Sequence, residues 1–489
     1  MPPINVFPVE PLLFELSIPG RTGASLSNDD VPTAALPANL LRTAPPAGLP
    51  ELAEVDVVRH FTRLSEENYG IDTGFYPLGS CTMKYNPRVH EDVAMLPGFA
   101  HIHPLQPIET VQGVLELMYN LQADLATISG MDAVSLQPGA GAHGEYTGIL
   151  MIRAYLQSLG QGDRNVILIP DSAHGTNPAT TIEAGFKMVP LKSNERGTVD
   201  LEQLSANLSN KVVAMMLTVP NTVGLFEPDI LEISERMHRA GGQMYGDGAN
   251  LNALVGHVRP GDLGFDVMHI NLHKTFTTPH GGGGPGAGPV AVKAHLAPFR
   301  PGPVVVRQGD GYGFAMPEKS IGRVKAFFGN AGMFYRAYTY IRSLGLEGLK
   351  HTSENAVLNA NYVRAMLQDT YWLQYTQFCM HEVVLSSRKL ATETGIKTLD
   401  VAKRLMDYGF HAPTVYFPLI IPEALMIEPT ETEGKETLDR FIEVMKKIAE
   451  EAHTNPEIVH EAPHTTKYGR FDEVGAAREP NLRWRPAAG

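Results

Sequence analysis

Four short segments carry side chains whose types and spacing can do chemistry. In one, Asn271, Leu272, His273 and Lys274 end an apolar run and lead through Thr275, Phe276, Pro279 and His280 into Gly281, Gly282, Gly283 and Gly284. A lysine in such a place is costly to bury without a partner, and desolvation makes it a nucleophile able to form a Schiff base. The glycine run permits backbone conformations closed to other residues, which suits a loop that approaches a ligand or moves, and equally a plain hinge. Asp247, followed by Gly248, Ala249 and Asn250, closes another strand. A carboxylate there can pair with a cation, although Asp-Gly is also a common turn. His174, in the loop 170–178, can lie flat on an aromatic ligand or simply cap the next helix. Finally, Gly139, Ala140, Gly141, Ala142 and His143 open a helix. Small residues at a helix N-terminus make an anion site where they are more than a tight turn.

Each segment alone has a plain structural reading, but their order along one domain favours a joint one. A phosphate cradle, a stacking histidine, an acid and a lysine are what pyridoxal 5′-phosphate requires. The cradle anchors its phosphate, the acid holds its ring nitrogen protonated, and the lysine takes its aldehyde.

The elements that must position these groups are legible as periodic patterns. Helical spacing runs over 108–129 and stops at Gly130; strands are expected at 166–169, 212–219, 243–246 and 267–272, with amphipathic helices at 201–208 and 230–240. That alternation predicts an α/β fold whose mostly parallel sheet is covered on both faces and collects ligands at the carboxyl ends of its strands. A hairpin is expected over 303–316 around Gly309, Asp310 and Gly311, then helices at 331–344 and 353–367. Strands at 372–376, 382–386 and 425–427 and helices at 399–408 and 434–452 predict a small α+β domain. Proline and glycine interrupt the first hundred residues, leaving one helix within 51–68, with Leu52, Val55, Val58, Phe61 and Leu64 on one stripe. The expected organisation is an extended arm over 1–107 lying on another subunit or on the main domain, a large domain over 108–335 and a small domain over 336–489.

Composition narrows the function classes. The 489 residues carry 40 Lys and Arg against 53 Asp and Glu, a net charge of −13, with no basic run to bind nucleic acid. No apolar stretch reaches the roughly 18 residues of a spanning helix, and the proline-broken start lacks the basic region of a signal peptide. Two cysteines, Cys81 and Cys379, suit a reducing cytoplasm, as two buried free thiols or a single bridge.

The segment 270–286, with 76–87, 137–146, 171–179 and 426–431, resembles the glycine decarboxylase P-protein of the glycine cleavage system. Length and the presence of Lys274 resemble subunit 2 of the split, two-subunit form of that family. The resemblance implies a pyridoxal phosphate fold type I domain, a homologous subunit 1 (two of each subunit), the lipoylated H-protein as partner and glycine as substrate. It further implies that Lys274 carries the cofactor, Asp247 pairs with the ring nitrogen, and His174 and Ala249 flank the two ring faces. Ala140, Gly141 and Ala142 would donate backbone N–H groups to the phosphate, and His273 would position the lysine or shuttle protons. His143 replaces the glutamine of many single-chain members. The four-glycine loop is expected to line or gate a channel for the lipoyl arm, and Ser80, Cys81, Thr82 and Met83 to close the glycine site. Arg307, Arg323 and Arg336 are candidates by position for binding the substrate carboxylate, or are structural ion pairs. The alternatives are another pyridoxal phosphate chemistry on the same fold, or a silent scaffold, against which Lys274 counts directly.

Overall fold

Apolar runs without a polar face become strands buried on both sides. In the computed structural model, which describes residues 9–25, 30–32, 34–44, 48–280 and 286–485, seven strands form one sheet, most of them buried and the edge strand at 187–191 largely exposed. These are β1 (Ala133–Ser135), β2 (Val166–Pro170), β3 (Lys187–Leu191), β4 (Val212–Thr218), β5 (Gln243–Gly248), β6 (Val267–Ile270) and β7 (Val290–Val292). Their order is β1-β7-β6-β5-β4-β2-β3. Neighbours from β3 through β6 are parallel, while β7 runs antiparallel to both β6 and β1. The mostly parallel sheet is therefore as expected, with one reversed strand near its edge.

Helix α1 (Gln112–Ser129) buries Val114, Leu115, Met118, Leu121 and Leu125 against this sheet. It stops where Gly130 turns left-handed at φ +68°, letting the Met131 N–H reach back to Ala126 O. Helix α2 (Gly141–Ser158) covers the other face through Ile149, Ile152 and Leu156, which pack with Ile167, Ala214 and Val267. The predicted hairpin is present as β8 (Val304–Gln308) and β9 (Gly311–Ala315).

The two helices expected at 331–344 and 353–367 are present within α3 (Ala331–Leu367) and meet at a kink at Gly345, the second starting earlier than expected. There φ is +61° and ψ −167°, a conformation open essentially to glycine, so one residue bends the rod without a loop. No strand covers 372–376: Trp372 makes an isolated bridge to Ser386. The small sheet has β10 (Val383–Ser386), β11 (Thr414–Val415) and β12 (Ala424–Ile427), all antiparallel with β12 central. Helix α4 (Lys435–Thr454) lays Leu438, Phe441, Ile442, Met445 and Ile448 into the same core.

The chain divides into two units, Met1–Gly74 and Phe75–Gly489. In the first, the expected helix runs over Glu54–Glu66, and its His60 and Arg63 both bind the buried Glu10, at 2.9 and 2.6 Å. In the second, Phe75 meets Phe441 and Phe410 edge-on in the small-sheet core, at 5.2 and 6.5 Å. The following stretch runs onto β12, where Leu78 bridges Ile427 and the Gly79 N–H bonds Met426 O. Among the described residues no helix is long and apolar enough to cross a membrane.

Candidate active site

The predicted groups converge where the parallel strands end. Asp247 is the penultimate residue of β5, Lys274 lies four residues past β6, His174 four past β2, and α2 starts six past β1. Parallel strands all present their carboxyl ends to one edge of the sheet, so four distant segments reach one crevice.

Asp247 is 4% exposed and fully engaged. Its Oδ1 accepts the Ala249 N–H at 3.1 Å and lies 3.5 Å from His269 Nε2, while Oδ2 accepts Asn177 Nδ2 at 3.1 Å. His269 sits across from Asp247 in the β5–β6 register, and its Nδ1 meets the Tyr245 hydroxyl at 2.6 Å. Burial pushes the Asp247 carboxyl up, but His269, His174 and the two N–H donors outweigh it and leave its pKa lowered. It stays ionised. Beside it, Glu145 accepts Thr176 Oγ1 at 2.7 Å and the same Asn177 amide at 3.1 Å. Burial, and then the Asp247 charge, push this second carboxyl up to about 7. Two adjacent carboxyls thus differ in proton affinity, one ionised and one titrating near neutral pH.

His174 is half-buried and holds Thr176 through Nδ1, at 3.0 Å to the hydroxyl. Burial lowers its pKa against the pull of Asp247, so the ring is neutral. Lys274 is buried, and its Nζ donates to Ser80 O at 2.6 Å. Imidazoles ring this ammonium. Burial and the neighbouring positive charges depress His273 to about 3, and burial with the Lys274 charge takes His280 to about 4 and His381 to about 3. His273 and His280 meet edge-on at 5.0 Å. His273 Nδ1, His280 Nε2 and His381 Nδ1 have no hydrogen-bond partner among the described residues.

The start of α2 is bare. Ala140 stands at its cap in an extended conformation with no side chain satisfying the first N–H groups, although the helix is 18 residues long. A Cβ at Gly141 would lie 2.3 Å from Asn271 Oδ1, so only glycine lets the helix come this close to the lysine loop. The Lys325 side chain runs beside Gly139, and Asn330 Nδ2 bonds Gly139 O at 3.0 Å. His143 turns back to accept the Gly139 N–H at 3.2 Å. Uncapped N–H groups, a nearby ammonium and the absence of side chains over the helix start are the features a phosphate cradle requires.

Several participants gave no sequence signal. Glu145, Asn177 and His269 support Asp247, and Lys325 approaches the cradle from a loop without periodicity. Glu382 and Glu428 reach the Lys274 neighbourhood from the small sheet. Of the three arginines, Arg336 is committed to Glu91 at 2.6 Å, whereas Arg307 and Arg323 are exposed. Both cysteines are free; Cys379 is buried, but Cys81 is only half-buried. Gly281, Gly282, Gly283 and Gly284 lie outside the described residues.

Residues 146–300 match the aminotransferase class-V family and residues 352–464 match the glycine dehydrogenase C-terminal domain. The chain is 57% identical over 488 residues to "Probable glycine dehydrogenase (decarboxylating) subunit 2" of Listeria innocua serovar 6a, covering 99% of each chain. Its counterpart of the same name in Desulforamulus reducens is 58% identical over 485 residues, covering 98% of this chain and 99% of that one. Among solved structures, an inhibitor-bound glycine decarboxylase (P-protein) of the glycine cleavage system superimposes with a TM-score of 0.71 at 23% identity, over 84% of this chain and 93% of that one. A Burkholderia pseudomallei sphingosine-1-phosphate lyase follows at 0.62 and 14%, over 85% and 94%. The fold is accordingly that of the class-V aminotransferases, pyridoxal phosphate fold type I, as expected. By identity over nearly its whole length, the chain belongs to the glycine dehydrogenase (decarboxylating) subunit 2 family, the P-protein component of the glycine cleavage system.

Proposed function

We propose that this chain binds pyridoxal 5′-phosphate at the carboxyl end of its sheet and there decarboxylates glycine, passing the aminomethyl group to the oxidised lipoyl arm of H-protein. A homologous subunit 1 is its partner, two of each forming the enzyme, and the cytoplasm is its setting. One observation carries the reading: Lys274, ionised Asp247 and the uncapped start of α2 meet at neighbouring strand ends.

When bound, the cofactor supplies an aldehyde and a ring that stores the electron pair released as the bond from Cα to the carboxylate breaks. The chain's own groups do the rest. The N–H groups at Ala140, Gly141 and Ala142, with Lys325, hold the phosphate. Asp247 holds a proton on the ring nitrogen; Asn177, His269 and the Ala249 N–H fix both of its oxygens, so its orientation needs no rearrangement. Glu145, titrating near neutral pH, sets less than a full charge against Asp247. His174, uncharged, offers a flat face to the ring, and Ala249 on the opposite face is small enough to leave room for it. Lys274 would hold the cofactor's aldehyde through Nζ and would hold or move a proton there, with the neutral His273 beside it in the chain.

The test is a visible spectrum of protein with pyridoxal phosphate, wild type against Lys274→Ala, followed by glycine–bicarbonate carbon exchange with subunit 1 and lipoylated H-protein. Wild type should show a lysine-linked band that borohydride abolishes and the variant should lack it; exchange should require H-protein. Absence of the band in wild type under every combination sinks the proposal, and exchange indifferent to H-protein points to another chemistry on the same fold.

A further inference from the structure

Apart from the groups assigned above, a cluster of buried ionisable side chains, His381, Glu382 and Glu428, lies at the small sheet near Lys274. Glu382 and Glu428 stand one residue beyond the Val383–Ile427 pair of β10 and β12, so they face each other across two antiparallel strands. Both are buried, at 3% and 0% exposure. Like charges directly across a ladder repel, and neither carboxyl has an arginine partner among the described residues.

Their oxygens are held from the other side. Glu382 Oε2 accepts the Ser80 N–H at 2.9 Å; Glu428 Oε2 accepts the Thr82 N–H at 2.9 Å and its Oε1 accepts Asn250 Nδ2 at 2.8 Å. Ser80 and Thr82 both take left-handed backbone, at φ +68° and +49°, which presents their N–H groups to the pair. The carbonyl of the same Ser80 accepts Lys274 Nζ. The charged or titratable groups facing the pair are Lys274, Cys81 and His381, whose Nε2 lies 3.9 Å from Glu382. Only Lys274 brings positive charge, because burial keeps His381 neutral. His381, Glu382 and Glu428 are near enough together to suit a metal ion, yet three N–H donors already occupy the carboxylates and an ammonium stands beside them. Ser80 links the Lys274 ammonium, on its carbonyl, to Glu382, on its N–H.

Lys274 leaves that role when it is linked to a cofactor, and an incoming amino acid brings an ammonium of its own. That ammonium must lose a proton before its nitrogen can attack. Resting on the proposed function of Lys274, we propose that Glu382 and Glu428 form an amine subsite: the pair faces the Lys274 ammonium across Ser80 while the lysine is free, and its ionised form accepts the proton that an incoming primary amine sheds before displacing the lysine. The step balances as ammonium plus carboxylate giving amine plus carboxylic acid, and the proton returns when Lys274 is released as an amine. Burial and the facing Glu428 push Glu382 up to about 8, so the ionised fraction that can take a proton is small at neutral pH and grows as the pH rises to about 8.

The experiment follows the visible spectrum of holoenzyme after mixing with glycine or with methoxyamine, which is already neutral at pH 7, for wild type, Glu382→Gln and Glu428→Gln. Either variant should respond to glycine tenfold or more slowly than wild type at pH 7, recover as the pH is raised, and react with methoxyamine at the wild-type rate. Equal slowing with both amines, or no slowing with glycine, overturns the proposal. Should neither variant retain the lysine-linked band, wild type alone decides it: a glycine rate that levels off above about pH 8 supports the pair, and one still rising about tenfold per pH unit above it means that solution, not the pair, removes the proton. A wild type without the lysine-linked band refutes the function of Lys274 itself, a separate result.

Discussion

Lys274 and Glu382 are bound to opposite hydrogen-bonding edges of one residue, Ser80, whose carbonyl accepts the lysine ammonium at 2.6 Å and whose N–H is accepted by the carboxylate at 2.9 Å. The residue between them is held in left-handed backbone, a conformation that costs a non-glycine residue on the order of 1 kcal/mol or more and persists only when neighbours over-determine it. Those neighbours come from far along the chain. The Thr414 hydroxyl donates to Gly79 O at 2.7 Å, Glu428 takes Thr82, and Glu431 takes Lys84. The segments 76–87 and 426–431 are therefore two halves of one structure, stitched together against the lysine.

Lys84 offers the sharpest test of that stitching. Its ammonium is buried and bonds Glu431 at 2.6 Å, Asn252 at 3.1 Å and the Tyr340 hydroxyl at 3.2 Å. Burial pushes its pKa down, but Glu431 and Tyr340 more than reverse this and leave it raised. Removing one partner strands the other charge. Lys84→Met should lower unfolding stability by roughly 3–5 kcal/mol, whereas Lys84→Met with Glu431→Gln should recover most of it. Urea unfolding of the two single variants and the double measures the coupling; additive losses would mean that the pair does not act as a unit.

Glu145 gives a prediction in pH. A carboxyl pushed from 4.5 up to about 7 by burial and the Asp247 charge binds its proton more tightly folded than unfolded. The stability it contributes is present below the unfolded value and is lost as pH rises from about 4.5 to about 7. Glu145→Gln stays neutral and keeps a carbonyl for Thr176 and Asn177, so it escapes this loss. Wild type should weaken relative to the variant across that window, by on the order of 3 kcal/mol at most, and hold level above it. Melting temperatures of the two proteins at pH 4.5, 6 and 8 check the sign; a difference independent of pH contradicts a neutral Glu145.

What can be seen in the sequence is local. Strands such as Val212–Thr218 announce themselves because every residue but the last is buried, and the site segments because they sit at strand ends. Lys274, Asp247 and His174 are placed by that rule. Glu382 and Glu428 are invisible to it, for each adjoins an ordinary apolar strand and gains its meaning only from a residue more than 300 positions away. Asn177 reads as a loop residue, yet its single amide bridges Glu145 and Asp247. The stretch after Trp372 has strand-forming residues, but only Trp372 finds a partner, in Ser386, so intrinsic preference without a ladder yields a bridge. At Gly345 the helical pattern is continuous on either side, and backbone freedom rather than a break in periodicity makes the bend.

Gly141 tests whether the bare start of α2 is a cradle. By helix propensity alone alanine at the first turn should be harmless or stabilising. Its Cβ, however, would stand 2.3 Å from Oδ1 and 2.7 Å from Nδ2 of the buried Asn271, three residues before Lys274. Either the helix start or the lysine loop must shift, and both are needed at their present spacing if one cofactor is to span them. Gly141→Ala should weaken pyridoxal phosphate binding roughly 10- to 100-fold, the equivalent of about 1–3 kcal/mol of overpacking. Adding Asn271→Ala removes the clash and should restore much of the affinity. Equilibrium titration of apoprotein with the cofactor, read by absorbance, measures both; an affinity unchanged by Gly141→Ala would place the phosphate elsewhere than at the start of this helix.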